Sequence, residues 1–168
     1  MTNQLYHIAQ VNIARMRAPL DQPEMAGFVA RLAEINALAD RSPGFVWRLQ
    51  TEAGDATYLR PYEDDRILFN LSVWESIEQF RDYVYRSAHR ELIRQRKGWF
   101  EQMESMHLAM WWIGAGLIPT VEEAKQRLEH LRQHGETVHA FTFKRIFQPT
   151  DGAEISLAPL SFEPCRVS

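Results

Sequence analysis

The hydrophobic and polar positions fall into short runs of two alternating kinds. From Leu5 to Ala14 the period is two, with Leu5, Ala9, Val11 and Ile13 on one side and Tyr6, Ile8, Gln10, Asn12 and Ala14 on the other. That period predicts a strand. The pattern then changes to a helical one. Asp21 opens it as a cap, Pro23 sits in the first turn, Glu24 follows three residues after the cap, and Met25, Phe28, Val29, Leu32, Ile35 and Ala39 form an apolar stripe. Ser42, Pro43 and Gly44 end it. Phe45 to Gln50 reads as a second strand, and Gly54 to Asp65 as an acidic, turn-rich loop carrying Tyr58, Arg60 and Tyr62. Arg66 to Trp74 gives the clearest strand, with Ile67, Phe69, Leu71 and Val73 on an apolar face and Leu68, Asn70, Ser72 and Trp74 on a mixed one.

Ser76 with Gln79 forms a capping box for the next helical region, and a further helix is expected from Ser87 to Glu104. His107 to Ile113 comes next as a fourth strand. Thr120 with Glu123 caps a last helix, striped by Val121, Ala124, Leu128 and Leu131 and ended by Gly135. Ala140 to Phe147 alternates and is expected as a fifth strand, with an irregular tail over residues 148–168 after a single domain of residues 1–147.

The order β-α-β-β-α-β followed by α-β is that of an α+β, ferredoxin-like split βαβ protomer with an antiparallel sheet. Helices cover only one face of such a sheet. The other is expected to carry Gln10, Asn12, Arg48, Asn70, Ser72 and Trp74, and a second copy of the chain over it would leave a partly polar cavity. A homodimer is therefore the expected assembly.

Composition narrows the partners. The 168 residues are 45% apolar and 24% charged, with a net charge of -3, so the chain is a globular domain without the basic footprint of a nucleic-acid binder. The start lacks the charge and apolar core of a signal peptide, and the uncharged run from His107 to Val121 is too short to span a bilayer. With one cysteine, Cys165, the expectation is a cytoplasmic protein without an internal disulfide or a membrane partner.

Candidate chemistry centres on the helix expected from Ser87. At 100° per residue, Ala88, Leu92, Ile93, Trp99, Phe100 and Met103 share a sector, and His89 and Arg96 fall inside it, while Arg86, Arg90, Arg94 and Lys97 lie opposite. A buried arginine needs a partner or a cavity. His89 is either a satisfied core histidine or a base, proton donor or haem-iron ligand. Trp74 is either an aromatic anchor or the wall on which a flat ligand stacks, and Asn12 and Asn70 either meet water or hold an oxyanion. Arg48 and Trp111 complete the expected substrate-binding set. His130 and His134, with His139, have metal-compatible spacing but no HExxH pattern and no fourth ligand, so no metal site is expected. Phosphate loops, Gly-x-Ser-x-Gly elbows and reactive-cysteine settings are absent from the sequence.

The run Asn70-Leu-Ser-Val-Trp-Glu-Ser-Ile-Glu-Gln-Phe-Arg followed by Ser87-Ala-His-Arg resembles the strand–Trp–helix–His signature of the dimeric α+β barrel superfamily, which includes antibiotic-biosynthesis and haem-degrading monooxygenases. Ala9-Gln-Val-Asn-Ile-Ala, Ser42-Pro-Gly-Phe-Val-Trp-Arg-Leu, Ala109-Met-Trp-Trp-Ile and Ala140-Phe-Thr-Phe extend the resemblance to one uncharacterised bacterial family in that superfamily, over Leu5 to Phe147. The resemblance implies a homodimeric barrel with a ligand cavity in each half. The haem-degrading branch implies a site shaped by Asn12, Trp74 and His89. The cofactor-free branch implies that Asn70 and Trp74 bind an aromatic substrate oxidised by dioxygen. The expected function is binding, and oxidation as a monooxygenase, of a flat apolar or aromatic molecule. Trp74 would stack on it, Asn12 or Asn70 would polarise its oxygen, His89 would move a proton and Arg96 would fix an anionic group. No cofactor is required, although the resemblance admits haem. A non-catalytic binder and a purely structural homodimer are the alternatives.

Overall fold

Strand β1 (Tyr6–Arg15) forms the spine of the molecule. After it come α1 (Ala26–Asp40), β2 (Phe45–Arg48), β3 (Ile67–Trp74), α2 (Ile77–Arg86), α3 (His89–Gln95), β4 (Leu108–Gly114) and α4 (Val121–His134). The computed structural model describes residues 5–151 apart from Ala53, Tyr58 and Ala88, without the side chains of His89, Leu92 and Ile93. The expected tail beyond Asp151 lies outside the described residues.

The sheet has the order β2-β3-β1-β4 with every neighbouring pair antiparallel, which is the expected α+β, split βαβ arrangement. Two helix starts come from the sequence directly. Ser76 Oγ accepts from the Gln79 backbone N–H at 3.2 Å, and Thr120 Oγ1 accepts from that of Glu123 at 3.0 Å. Gly135, at φ 71°, takes the left-handed turn that ends α4. The first helix departs from expectation. Pro23–Met25 is a 3₁₀ turn, α1 starts at Ala26, and neither start has a side-chain cap, so Asp21 does not serve as one. Pro23, which lacks an N–H, suits that tight first turn.

Two further expectations are corrected. The helix expected over Ser87 to Glu104 stops at Gln95, and Arg96–Gly98 is a 3₁₀ turn. The free edge at the end of β1 captures the backbone just after that turn. The Arg17 N–H donates to Trp99 O at 2.8 Å, and the Glu101 N–H donates to Arg15 O at 2.9 Å. Gly98, a poor helix former, lets the chain change course there. The second concerns Ala140 to Phe147, which is not a strand. Only Phe141 pairs with the sheet, exchanging both backbone bonds with Met110 at 2.7 and 2.9 Å. Beyond it, Thr142 Oγ1 accepts from the Lys144 N–H at 3.1 Å, closing a local turn that competes with a ladder.

One chain covers both faces of the sheet. Ala9, Val11, Ile13, Phe69, Leu71, Val73, Ala109 and Trp111 form the apolar face, and Ala124, Leu128 and Leu131 of α4 bury it. Tyr62, from the loop after β2, lies on Phe69 at a ring separation of 6.3 Å. The mixed face carries Ile8, Gln10, Asn12, Asn70, Ser72 and Trp74. The mixed face, expected to be free of helices, carries them at its two ends: α2 packs over one through Ile77 and Phe80, and α1 over the other through Phe28 with Leu32 and Ile35, while Asn70 at the middle stays exposed.

Leu128 is the centre of the α4 contact. Leu128→Ala is expected to cost about 2–5 kcal/mol through lost burial and a residual cavity. Urea denaturation followed by tryptophan fluorescence measures it, and a loss near zero would mean that α4 does not hold the apolar face.

Candidate functional site: a polar-floored cavity under the helices

The core of the mixed face is divided. One cluster gathers Ile8, Trp74, Ile77, Phe80, Met110 and Phe141, and the other gathers Met16, Ala18, Met25 and Phe28. Between the sheet and the helices lies a cavity of about 390 Å³. That volume falls in the ordinary range for small-molecule sites.

Its floor comes from strand register. Gln10 pairs with Ser72 and Asn12 with Asn70, so four polar side chains meet at the middle of the sheet, between Ile8–Trp74 at one end and Ala14–Leu68 at the other. Gln10 is 1% exposed, so its amide needs partners. It donates through Nε2 to Asn70 Oδ1 and to Ser72 Oγ, both at 2.7 Å, and accepts at Oε1 from Asn12 Nδ2 at 3.1 Å. Ser72 Oγ also accepts from the Trp74 indole N–H at 3.0 Å. A hydroxyl that accepts twice keeps its proton to donate, and an amide that accepts at Oδ1 keeps both Nδ2 hydrogens. Among the described residues neither the Ser72 proton nor the Asn70 amide nitrogen has an acceptor. The floor therefore offers spare donors beside each other, an arrangement suited to a carbonyl or phenolate oxygen.

The walls are aromatic and aliphatic: Phe28, Leu32 and Ile35 from α1, Tyr83 and Val84 from α2, and Trp99 and Phe100 from the segment hooked to β1. Gly27 makes room for this segment, because a Cβ there would come within 3.2 Å of the Trp99 ring. Burial pushes the Tyr83 phenol well above its ordinary value, so it stays neutral.

The expected site residues take different places. Asn12 and Asn70 are on the floor, and Arg48, Trp74 and Arg96 line the cavity. Trp74 is not a free stacking plate, however. It is 1% exposed, with Tyr83 stacked on it at 4.9 Å and Phe45 and Phe80 each at 5.5 Å. Arg48 is already engaged: its Nε donates to Asp40 Oδ1 at 2.7 Å and its Nη1 to Gly54 O at 2.8 Å, fastening the loop after β2 to the end of α1. The Arg96 guanidinium has no partner among the described residues and remains available to an anionic group. Trp111 is corrected. It pairs with Ala9 and lies on the apolar face, fully buried with the Arg127 guanidinium 5.7 Å over its ring. The His89 side chain lies outside the described residues. His107, Tyr83 and Asn36 also line the cavity, beyond the set expected from the sequence. Tyr83 comes after Phe80 at helical spacing on α2, a legible signal. His107, the first residue of the expected fourth strand, stands just before β4, and its parity with Ala109 and Trp111 does not mark it for the cavity.

A haem would need an axial imidazole and cations for its propionates. Among the described residues the cavity lining includes one imidazole, His107, and one cation without a partner, Arg96, with Arg48 bound to Asp40; the side chain of His89, the expected ligand, lies outside the described residues. The other histidines lie apart from the cavity. His130 has its ring centre 4.6 Å from that of His134 and 5.7 Å from that of His139, and its Nε2 is 3.0 Å from Thr137 Oγ1. Among the described residues no group of three or more His, Cys, Asp or Glu side chains is placed to hold a metal ion.

The fold and the cavity define a ferredoxin-like α+β protein with a small-molecule-sized site between helices and sheet. The chain belongs to the DUF3291 family, a domain of unknown function, whose match spans residues 7–157. That bears out the resemblance to an uncharacterised family. No curated protein matches the chain. Among solved structures it is similar to SnoaB, a cofactor-independent oxygenase from Streptomyces nogalater. One SnoaB structure aligns at 17% identity over 67% of this chain and 95% of that one, with a TM-score of 0.45, and a second aligns at 17% identity over 68% and 96%, with a TM-score of 0.43. A protein of unknown function from Nitrosomonas europaea, NE2512, aligns at 10% identity over 70% of this chain and 99% of that one, with a TM-score of 0.43. No helix among the described residues is long and apolar enough to cross a membrane.

Two measurements probe these contacts. Ser72→Ala leaves the buried Trp74 N–H without an acceptor and is expected to cost about 1–3 kcal/mol, read by urea denaturation; an unchanged midpoint would remove Ser72 from the network. The His130 imidazole is held below its ordinary value, first by burial and then by His134, His139 and Arg127. The unfolded chain then binds the proton more readily than the folded one. This contribution is complete above the usual imidazole value of about 6.5 and is lost as the pH falls through it. The melting temperature is expected to drop between about pH 7.5 and pH 5.5, and to drop less in His130→Gln. Equal drops in both proteins would count against the histidine cluster.

Proposed function

We propose that the chain binds a flat, largely apolar aromatic molecule in this cavity and oxidises it with dioxygen as a monooxygenase, without a resident cofactor. The observation that carries the reading is the floor: spare donors on Ser72 and Asn70 beneath walls of Phe28, Trp99 and Phe100. An oxygen of the substrate is held there as it gains negative charge, while Arg96 takes an anionic substituent. A cavity of about 390 Å³ left open by the chain's own side chains speaks against a purely structural role.

For a naphthol the reaction balances on substrate and dioxygen alone. The hydroxyl proton leaves, and the phenolate oxygen rests on Asn70 Nδ2. Dioxygen adds at the ring carbon opposite the hydroxyl. That carbon loses its hydrogen and becomes a second carbonyl, and the other oxygen atom departs as water. The substrate gives up four electrons and dioxygen accepts four. The proton-moving role that the sequence reading gives to His89 stays with that residue, whose side chain lies outside the described residues.

Binding without turnover is the second reading. It is favoured by one observation: neither His107 nor Arg96 has a hydrogen bond to the floor through its side chain. A homodimer in the cytoplasm remains part of the proposal. It is supported by the exposed apolar side chains of Leu5, Leu117 and Ile118, on segments brought together where the Ala115 N–H donates to Leu5 O at 2.9 Å.

An oxygen electrode with 1-naphthol separates the two main readings. Oxygen consumption with quinone formation is expected, and Asn70→Ala is expected to lower kcat about 10²–10³-fold while naphthol still binds. Saturable naphthol binding without oxygen uptake would leave only the binder. Unchanged turnover in Asn70→Ala would reject the oxyanion role.

A further inference from the structure

We infer that the ligand of the cavity carries an unbranched aliphatic chain, which leaves past Tyr85 and Phe143 and lies in a second cleft against Met106. The inference rests on the reading that the cavity binds a flat ring, and it adds the class of ring compound.

The second cleft has a volume of about 330 Å³, and Tyr85, His107, Leu108 and Phe143 line both spaces. The two spaces therefore adjoin at these residues. Tyr85 and Phe143 meet edge to face, with ring centres 5.7 Å apart. Phe143 is held by Phe80 at 5.5 Å on the cavity side and by the Arg81 guanidinium at 5.4 Å. Tyr85 stands at the end of α2 and is 52% exposed, so its ring can swing without disturbing the core.

The cleft beyond has an apolar side, formed by Leu108, Phe143 and Met106. Met106 is 38% exposed, a large apolar side chain left open to solvent, while Met103, which also lines the cleft, is partly buried against the core of the apolar face. Methionine is unbranched and polarizable, and it adapts to a chain of variable conformation. The segment that presents these methionines is braced from α4, where Arg132 donates through Nε to Met106 O at 2.9 Å and through Nη2 to Ser105 Oγ at 3.3 Å. The cleft therefore has a fixed rim on that side and a movable one at Tyr85. Glu104 and Lys144 also line it, a polar margin consistent with a chain whose end reaches water. A ring alone would not use this space. A ring with a linear alkyl or acyl substituent would bury Met106.

The test uses the full chain and a series of 2-alkyl-1-naphthols from methyl to octyl, with binding followed by calorimetry. Each added methylene is expected to tighten Kd about fourfold until the cleft is filled, after which the gain stops. In Met106→Glu, a change at an already exposed position, the methyl compound is expected to keep its Kd and the gain along the series to shrink to less than half per methylene. Three results would overturn the inference. A Kd independent of chain length would show that the second cleft is unused, while leaving the ring-binding reading intact. The same chain-length dependence in Met106→Glu as in the parent would place the chain elsewhere. Failure of the methyl compound itself to bind would remove the ring-binding reading and this inference with it.

Discussion

A four-stranded sheet must keep both of its faces from water, and here the two faces meet that constraint by different means. On one side the solution is continuous: the leucines of α4 close over an unbroken field of valine, leucine, phenylalanine and tryptophan. On the other side the field is interrupted at its middle by two cross-strand polar pairs. Helices can close over Ile8 and Trp74 at one end and join the cluster around Met16 and Phe28 at the other. They cannot close favourably over amides that need hydrogen-bonding partners. The cavity is what remains between two properly packed ends.

The loops and irregular segments are arranged around that gap. Arg48 spans from Asp40 at the end of α1 to the Gly54 carbonyl, and so ties a long loop to the mouth. At the opposite end Arg15 reaches both Asp64 and Glu101, drawing together the residues before β3 and those after the Arg96–Gly98 turn. Exposed ion pairs of this kind contribute little to stability. Their use is positional: they set where the aromatic walls stand relative to the floor.

Much of this arrangement is legible in the sequence wherever the signal is local. The alternation of β1 and β3 survives because each strand keeps one register along its length, and the caps at Ser76 and Thr120 depend only on residues three apart. Asn12 and Asn70 can be placed on one face by parity alone. Parity fails for Met110-Trp111-Trp112, where every residue is apolar, so that only pairing with Ala9 decides that Trp111 faces α4. The helix expected through Glu104 fails because a distant strand edge takes the backbone of Trp99 and Glu101. Nor does alternation say which face of the sheet receives the crossover helices, and for that reason the mixed face reads, from sequence, as a surface for a second copy. For His107 the parity of the expected fourth strand points to the side of Ala109 and Trp111, so it gives no sign of a cavity residue.

The pairing of Gln10 with Ser72 and of Asn12 with Asn70 also bears on how the chain finds its fold. A one-residue slip in a strand turns every side chain to the other face. Most slips in an apolar strand exchange one hydrocarbon for another and are weakly penalised. In β1 the same error would push two amides beneath Leu128 and leave their former partners on β3 unmatched, so the misaligned sheet is unstable from the start. The groups that keep the cavity open thus also act as a proofreading mark on the central strand pair, and alignment is checked by the site itself.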